Sequence, residues 1–411
     1  MLTNKKNKLL FLFGFFMFSM KAIANLWHFP LAGSLPIIIF IFYVSFKKTE
    51  PISDLKKKYI FSLFLLSLYI ILLSVISSSQ EYGIYKAAFF FVFDFIFLFF
   101  AVKVIRCESD VNSLVEGLIL GSIFFLVFSV GFFLHQGIQI TRFSRASLGE
   151  GNPIVWAQQL GQGMLLFLWA AIKFKKISLY SIFGFSALLS IVLMFLSGSK
   201  GPIVAMFMTL IFIALFIFKL KHMVVTFCLL LALVVIVGRW NPYVSGSNPI
   251  HEFFLQRYDF TDSGSIESRK KHISVTKEFL DDKGVHVSIF GSGTGNYAFV
   301  YSGTSQRLYP HNIFFELYLE NGIIGLMLFF TVISFPFIFL KRHKKYIEKS
   351  GVLYCVFALF LYSIFCAQFS GDLISNWIIM FFGLLVLCCE RPIFKKIGPF
   401  GASKHVDSVK N

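Results

Sequence analysis

The sequence predicts an all-α polytopic membrane protein with about twelve transmembrane helices and one large polar loop. Three observations carry that prediction. The 411 residues are 57% hydrophobic and 14% charged, with a mean hydropathy of +0.76. Apolar runs of ~18–25 residues recur from end to end, the length that crosses ~30 Å of hydrocarbon as a helix. Runs such as FSLFLLSLYIILLSVI (residues 61–76) are almost continuously apolar and lack the alternation of a membrane β-strand. Backbone groups in lipid must pair internally, so helices are the expected solution.

The predicted spans are roughly 8–24, 30–46, 59–77, 84–104, 113–135, 153–174, 178–197, 200–219, 222–238, 312–340, 351–369 and 372–389. Residues 1–238 therefore carry the first nine helices, 239–311 the large loop, 312–390 the last three helices and 391–411 a basic tail. The first run, KKNKLLFLFGFFMFSMKAIA, also has the basic start, apolar middle and small-residue end of a signal peptide. It is read as a retained helix, because a multispan protein needs no separate export signal.

The formal net charge is +17, with 38 Lys and Arg against 21 Asp and Glu. In a soluble chain such an excess suggests nucleic acid. Here most of it follows the positive-inside rule. With Met1 in the cytoplasm and sides alternating, every cytoplasmic segment carries basic residues, from Lys5, Lys6 and Lys8 through Lys173, Lys175 and Lys176 to the tail. Both termini are then cytoplasmic, and no nucleic-acid partner is expected. Cys107, Cys228, Cys355, Cys366, Cys388 and Cys389 lie in spans or on the cytoplasmic side. No disulfide framework is expected, and no Cys/His spacing suggests a metal.

The informative cations are those left on the outer side. Lys21 and Lys86 stand near helix ends and are expected to snorkel to the interface. The loop QGIQITRFSRASLGEGNP holds Arg142 and Arg145. The turn FLSGSKGPIV puts Lys200 at the membrane surface. Arg239, Arg257, Arg269, Lys270, Lys271, Lys277, Lys283 and Arg307 belong to the large loop.

Within that loop SIESRKKHISVTKEFL reads as an amphipathic helix with Ser265 as N-cap. Ile266, Arg269, Ile273, Thr276 and Leu280 share one face, which places Arg269 in the inward stripe. A buried cation needs an anion, from the protein or from a ligand phosphate. VHVSIFGSGTGNYAF follows as a short strand-like run and a glycine turn. Its GxGxG spacing is not the dinucleotide fingerprint, so Gly291, Gly293 and Gly295 are expected to serve backbone geometry. Asp259, Asp262, Asp281 and Asp282 read as solvated carboxylates.

RLYPHNIFFELYLENGIIG (307–325) marks the return to the membrane. Asn312, Glu316 and Glu320 recur at i, i+4 and i+8, one polar stripe on an apolar helix. Carboxylates in a span are costly and face a cavity or a partner. The outward Arg and Lys are the expected partners. His311 precedes the stripe, and a histidine of unperturbed pKa ~6.5 can accept a proton near neutrality. One outer surface thus gathers a His, several cations and two carboxylates against an apolar wall. That suits a ligand with a lipid tail and an anionic head, and Arg pairs bidentately with phosphate.

SRASLGEGNP, LSGSKGPIV, SRKKHISVTKEFL with IFGSGTGNYAF, and YPHNIFFELYLENGIIGL, in that order, resemble the O-antigen ligase and O-antigen polymerase superfamily over roughly residues 142–330. The last motif is the most specific. The resemblance implies a GT-C-like glycosyltransferase of the bacterial inner membrane, with no cofactor and no metal and with its active site facing the periplasm. It implies a donor glycan on undecaprenyl diphosphate, and a flippase and a chain-length regulator as partners besides the bilayer.

Carried onto this chain, Arg269 and Arg145 would hold phosphate, with Lys200 and the neighbouring Arg142 beside them; Arg257 joins them from its position only. His311 would be the base or orient the acceptor hydroxyl. Asn312, Glu316 and Glu320 would support it. Lys200 stands where many members have Arg and keeps the charge without the bidentate geometry. YPHNIFFELYLENGIIG and FSGDLISNW (369–377) look more like polymerases than ligases; a ligase and a glycan-to-protein transferase are the alternatives. A twelve-helix transporter is the alternative of another class. It would need polar groups inside the spans, for which Asp94 and Glu116 are the candidates.

Overall fold

The computed structural model describes residues 5–27, 36–37, 39–40, 52–136, 152–174, 176–217, 264–343 and 350–390. All regular structure among them is helical, and no strand occurs among the described residues. The helices are α1 (Lys5–Trp27), α2 (Asp54–Val75), α3 (Gln80–Val104), α4 (Glu108–Gln136), α5 (Pro153–Lys173), α6 (Ile177–Leu196) and α7 (Lys200–Ile217). Then come α8 (Gly264–Lys283), α9 (Val285–Phe290), α10 (Tyr297–Ser302), α11 (Ile313–Arg342), α12 (Gly351–Cys366) and α13 (Ile378–Cys388). The predicted span 222–238, and most of 30–46, lie outside the described residues.

Five described helices are long and apolar enough to cross a membrane: α2, α3, α4, α6 and α11. α12, α13 and the Lys200–Leu215 part of α7 are shorter and apolar. α13 is buried along its whole length, so a helix apolar all round is the centre of the bundle, as such composition requires. α12 packs beside it, and α2, α3 and α11 also line it. Tyr59 of α2 donates to the Met380 carbonyl at 2.6 Å, which fixes α2 to α13. α1 lies against α4, and α5 against α6.

At one end of the bundle basic residues meet acids and carbonyls. Lys6 pairs with Asp110 at 2.5 Å, Lys173 with Glu116 at 2.8 Å, and Lys56 donates to the Arg106 carbonyl at 2.8 Å. The opposite end carries the α2–α3 turn, the 284–312 segment and the 367–377 turn, and there the candidate site is built.

Three local expectations are corrected. The strand-like run after α8 is the short helix α9, and no strand stands beside it among the described residues. The last span is shorter than expected: residues 372–377 form a turn, and the helix occupies only Ile378–Cys388. α11 is two helical pieces, because Gly322 (φ 64°, ψ −170°) breaks it two residues after Glu320.

Candidate active site

The break in α11 positions the site. Asn312 caps the helix, accepting from the backbone N–H of Phe314 at 2.9 Å and of Phe315 at 3.1 Å. Glu316 and Glu320 follow one and two turns on and share a face. At Gly322 the chain adopts a backbone conformation that only glycine occupies readily. A Cβ there would lie 2.3 Å from the Ile289 carbonyl oxygen.

Breaking a helix frees carbonyls, and in an apolar surrounding each must find a donor. The glycine turn 291–295 supplies the donors. Ser292 N–H donates to the Leu319 carbonyl at 2.9 Å, and Gly293 N–H to the Glu320 carbonyl at 3.0 Å. Thr294 ties the turn to α2 by donating its hydroxyl to the Ile70 carbonyl at 2.9 Å, and it accepts from the Asn321 amide at 3.0 Å. Gly291, Gly293 and Gly295 all have positive φ, so the turn serves backbone geometry, as the sequence suggested.

This turn also decides the fate of Lys86. The sequence predicts that Lys86 snorkels to the interface and that the two glutamates pair with outward Arg and Lys. Instead Lys86 is 1% exposed, its ammonium bonded to Glu316 and, at 2.6 Å, to Glu320. The reason is the cover. Gly83, one turn before Lys86 on α3, packs on the Thr294 carbonyl, where a Cβ would lie 2.3 Å from the oxygen. The glycine turn therefore seals that face of α3 from lipid and water. Each carboxylate also accepts a backbone N–H, Glu316 from Leu373 at 3.1 Å and Glu320 from Tyr297 at 3.4 Å. A buried ion cluster holds only when its charges are paired and hydrogen-bonded.

Beside the cluster lies an aromatic and imidazole group that sequence reasoning missed. His272 on α8 is buried and shares a hydrogen bond through Nδ1 with the Tyr297 hydroxyl. Its ring stacks on Tyr301 at 4.5 Å between centroids and meets the His311 ring edge-on at 5.7 Å. Tyr309 approaches His311 from another side at 4.8 Å. Burial, then the neighbouring Lys271 charge, push the His272 imidazole below its usual value. Burial pushes the Tyr297 hydroxyl up.

The buried face of α8 carries His272 and Thr276, whereas Ile273 is exposed, so the inward stripe is turned by about one residue from the expected one. A histidine one turn after Arg269 and one before Thr276 was the available signal. His311 itself has φ 57°, the one non-glycine residue with positive φ among those described. Such a conformation costs of order 1–3 kcal/mol and persists only where the surroundings impose it.

A second ion pair closes the other side. Arg307 donates to both carboxylate oxygens of Asp372, at 2.9 and 3.1 Å, and to the Ser375 hydroxyl at 2.8 Å. Tyr82 donates to the same carboxylate at 3.1 Å. Burial alone would raise the Asp372 carboxyl; the Arg307 guanidinium outweighs it and holds it at about 2. Arg307 and Tyr309 line a cavity of 530 Å³ that runs on between α5, α12 and the 370–377 turn. Lys200 is half-buried at the start of α7, next to Gly201, where a Cβ would lie 2.6 Å from the Phe369 side chain.

The structure thus brings His311, Asn312, Glu316 and Glu320 together with Lys86 and His272. Arg142, Arg145 and Arg257 lie outside the described residues. Arg269 lies on α8 one turn before His272, and its side chain is outside the described set. Of the two carboxylates a transporter would use, Glu116 is taken up by Lys173 and Asn112. Asp94 is buried in a π-helical turn of α3 (Phe91–Ile96), with neither oxygen partnered among the described residues.

Residues 185–330 match the family model described as O-antigen ligase. Over that segment the match supports the O-antigen ligase and polymerase superfamily. It runs from α6 through Lys200, α8, the glycine turn and His311 to the two glutamates, while their partner Lys86 lies outside it. No curated protein matches the chain.

Proposed function

With the O-antigen ligase and polymerase superfamily as the premise, we propose that the chain is a surface-polysaccharide polymerase of the bacterial inner membrane. It transfers a glycan from undecaprenyl diphosphate onto a lipid-linked repeat unit at the periplasmic face. The observation that carries the reading is His311. It is held with positive φ at the head of α11, between Tyr309 and His272, inside the family-matched segment.

In this mechanism the acceptor hydroxyl oxygen attacks the anomeric carbon of the donor, and His311 takes its proton. The bond from that carbon to the diphosphate oxygen breaks, and undecaprenyl diphosphate leaves with the electron pair. Arg269 is the first cation assigned to the developing charge, with Arg142, Arg145, Arg257 and Lys200 around it. The diphosphate is already a good leaving group, so neither a nucleotide nor a metal is required for the step. Lys86, Glu316 and Glu320 keep the head of α11, and so His311, in place. Twelve spans with both termini cytoplasmic would put these groups on the periplasmic side, as the basic residues at the opposite end of the bundle favour. A flippase that delivers the donor and a chain-length regulator are the expected partners.

The description of the matching family favours a ligase as the second reading, with lipid A–core as acceptor. One experiment separates the two: surface polysaccharide and lipid-linked intermediates from cells lacking the gene, compared on gels. Acceptors carrying a single repeat unit and no ladder are the result expected of a polymerase. Bare acceptors with long chains accumulating on undecaprenyl diphosphate would mean a ligase. An unchanged ladder without accumulation would exclude both.

A further inference from the structure

We infer that the cavity between α5, α12 and the 370–377 turn is a subsite for uncharged sugar units of the lipid-linked glycan. The inference rests on the glycosyltransferase reading above and adds residues outside the family-matched segment. One wall is a ladder of amides on α5: Gln158, Gln159 and Gln162 share a face, starting from Asn152 at the helix cap. From Asn152 to Gln162 the helix rises about 15 Å. Gln159 and Gln162 are 3% and 5% exposed, and the amide oxygen of each has no hydrogen-bond partner among the described residues. Buried amides are ordinarily satisfied, so two unsatisfied ones lining the same cavity call for a polar ligand.

The chemistry of the walls selects the ligand. Amides both donate and accept, which matches hydroxyls that do the same. Tyr309 and Trp377 add aromatic faces for the apolar side of a sugar ring. The one cation among the described lining residues, Arg307, is already engaged by Asp372, so the described walls offer polar rather than charged contacts. Its 530 Å³ lies in the range of small-ligand sites, about 300–1,000 Å³. Tyr309 touches both the cavity and His311, so a sugar seated against the glutamines ends beside the proposed base.

The test uses the full-length protein in lipid nanodiscs. The probe is the oligosaccharide released by mild acid from the lipid-linked repeat units of cells lacking this gene; undecaprenyl diphosphate is the control. Gln159→Met and Gln162→Met keep the volume and remove the amide. Each is expected to weaken oligosaccharide binding about tenfold, the effect of one lost hydrogen bond to a neutral partner. Undecaprenyl diphosphate binding should be unchanged, and Gln162→Asn should recover part of the loss.

In turnover, a raised KM for the acceptor alone assigns the sugar to the acceptor, and for the donor alone to the donor; either supports the subsite. Wild-type oligosaccharide affinity in both Met variants, or an equal loss of undecaprenyl diphosphate binding, overturns it. A wild-type protein that turns over lipid-linked repeats but does not bind the oligosaccharide overturns the subsite alone. One that does neither overturns the function as well.

Discussion

The Lys86 ammonium lies 2.6 Å from the Glu320 carboxylate, and both side chains are 1% exposed. Glu316, one turn away on α11, bonds the same ammonium. Two helices from the first and the last thirds of the sequence, α3 and α11, are thus joined at one buried ion cluster.

Removing one member of that cluster leaves the others charged and buried. Lys86→Met is expected to destabilise the protein by about 3–5 kcal/mol, and adding Glu316→Gln and Glu320→Gln should recover much of it. Thermal unfolding of the purified variants in one detergent measures both. A single Lys86→Met as stable as wild type would contradict the buried cluster.

His311→Asn tests the base while respecting the backbone, since Asn tolerates positive φ. Transfer should fall about 10²–10⁴-fold with unfolding temperature near that of wild type. Arg269→Ala should likewise abolish transfer from a protein that stays folded, and Arg269→Lys should restore it only in part, because the bidentate geometry is lost. Near-normal glycan from well-expressed His311→Asn would remove it from the mechanism.

Gly322→Ala should destabilise the seam between α11 and the glycine turn. The new Cβ meets the Ile289 oxygen, and the backbone conformation by itself disfavours a side chain by about 1–3 kcal/mol. Faster proteolysis within residues 291–295 than in wild type is the expected readout. Equal rates would mean that the turn does not depend on the break.

His272 sets a pH dependence whose sign is fixed by burial. Its folded-state value lies below that of the unfolded chain, ~6.5. The stability it contributes is therefore present above ~6.5 and is lost as pH falls through the lower folded value. Unfolding temperature should drop on acidification, and less steeply in His272→Gln. Lys271→Gln removes the second cause of the shift, so the imidazole should titrate at higher pH, as read by NMR of the ring. An unmoved titration would assign the whole effect to burial.

Much of this protein was legible in its sequence because membrane insertion is a local property. A run of apolar residues long enough to span hydrocarbon must be helical whatever its neighbours, so α2, α3, α4, α6 and α11 stand where hydropathy puts them. The polar stripe Asn312, Glu316 and Glu320 was equally visible, since helical periodicity alone aligns it. What those glutamates pair with was not visible. Lys86 is 230 residues from Glu316, and it reads as an interfacial lysine until the glycine turn covers it. The break at Gly322, the inward turn of His272 and the bond between Arg307 and Asp372 belong to the same class. Each depends on which segments pack together, and burial and pairing are properties of that packing, not of any single segment.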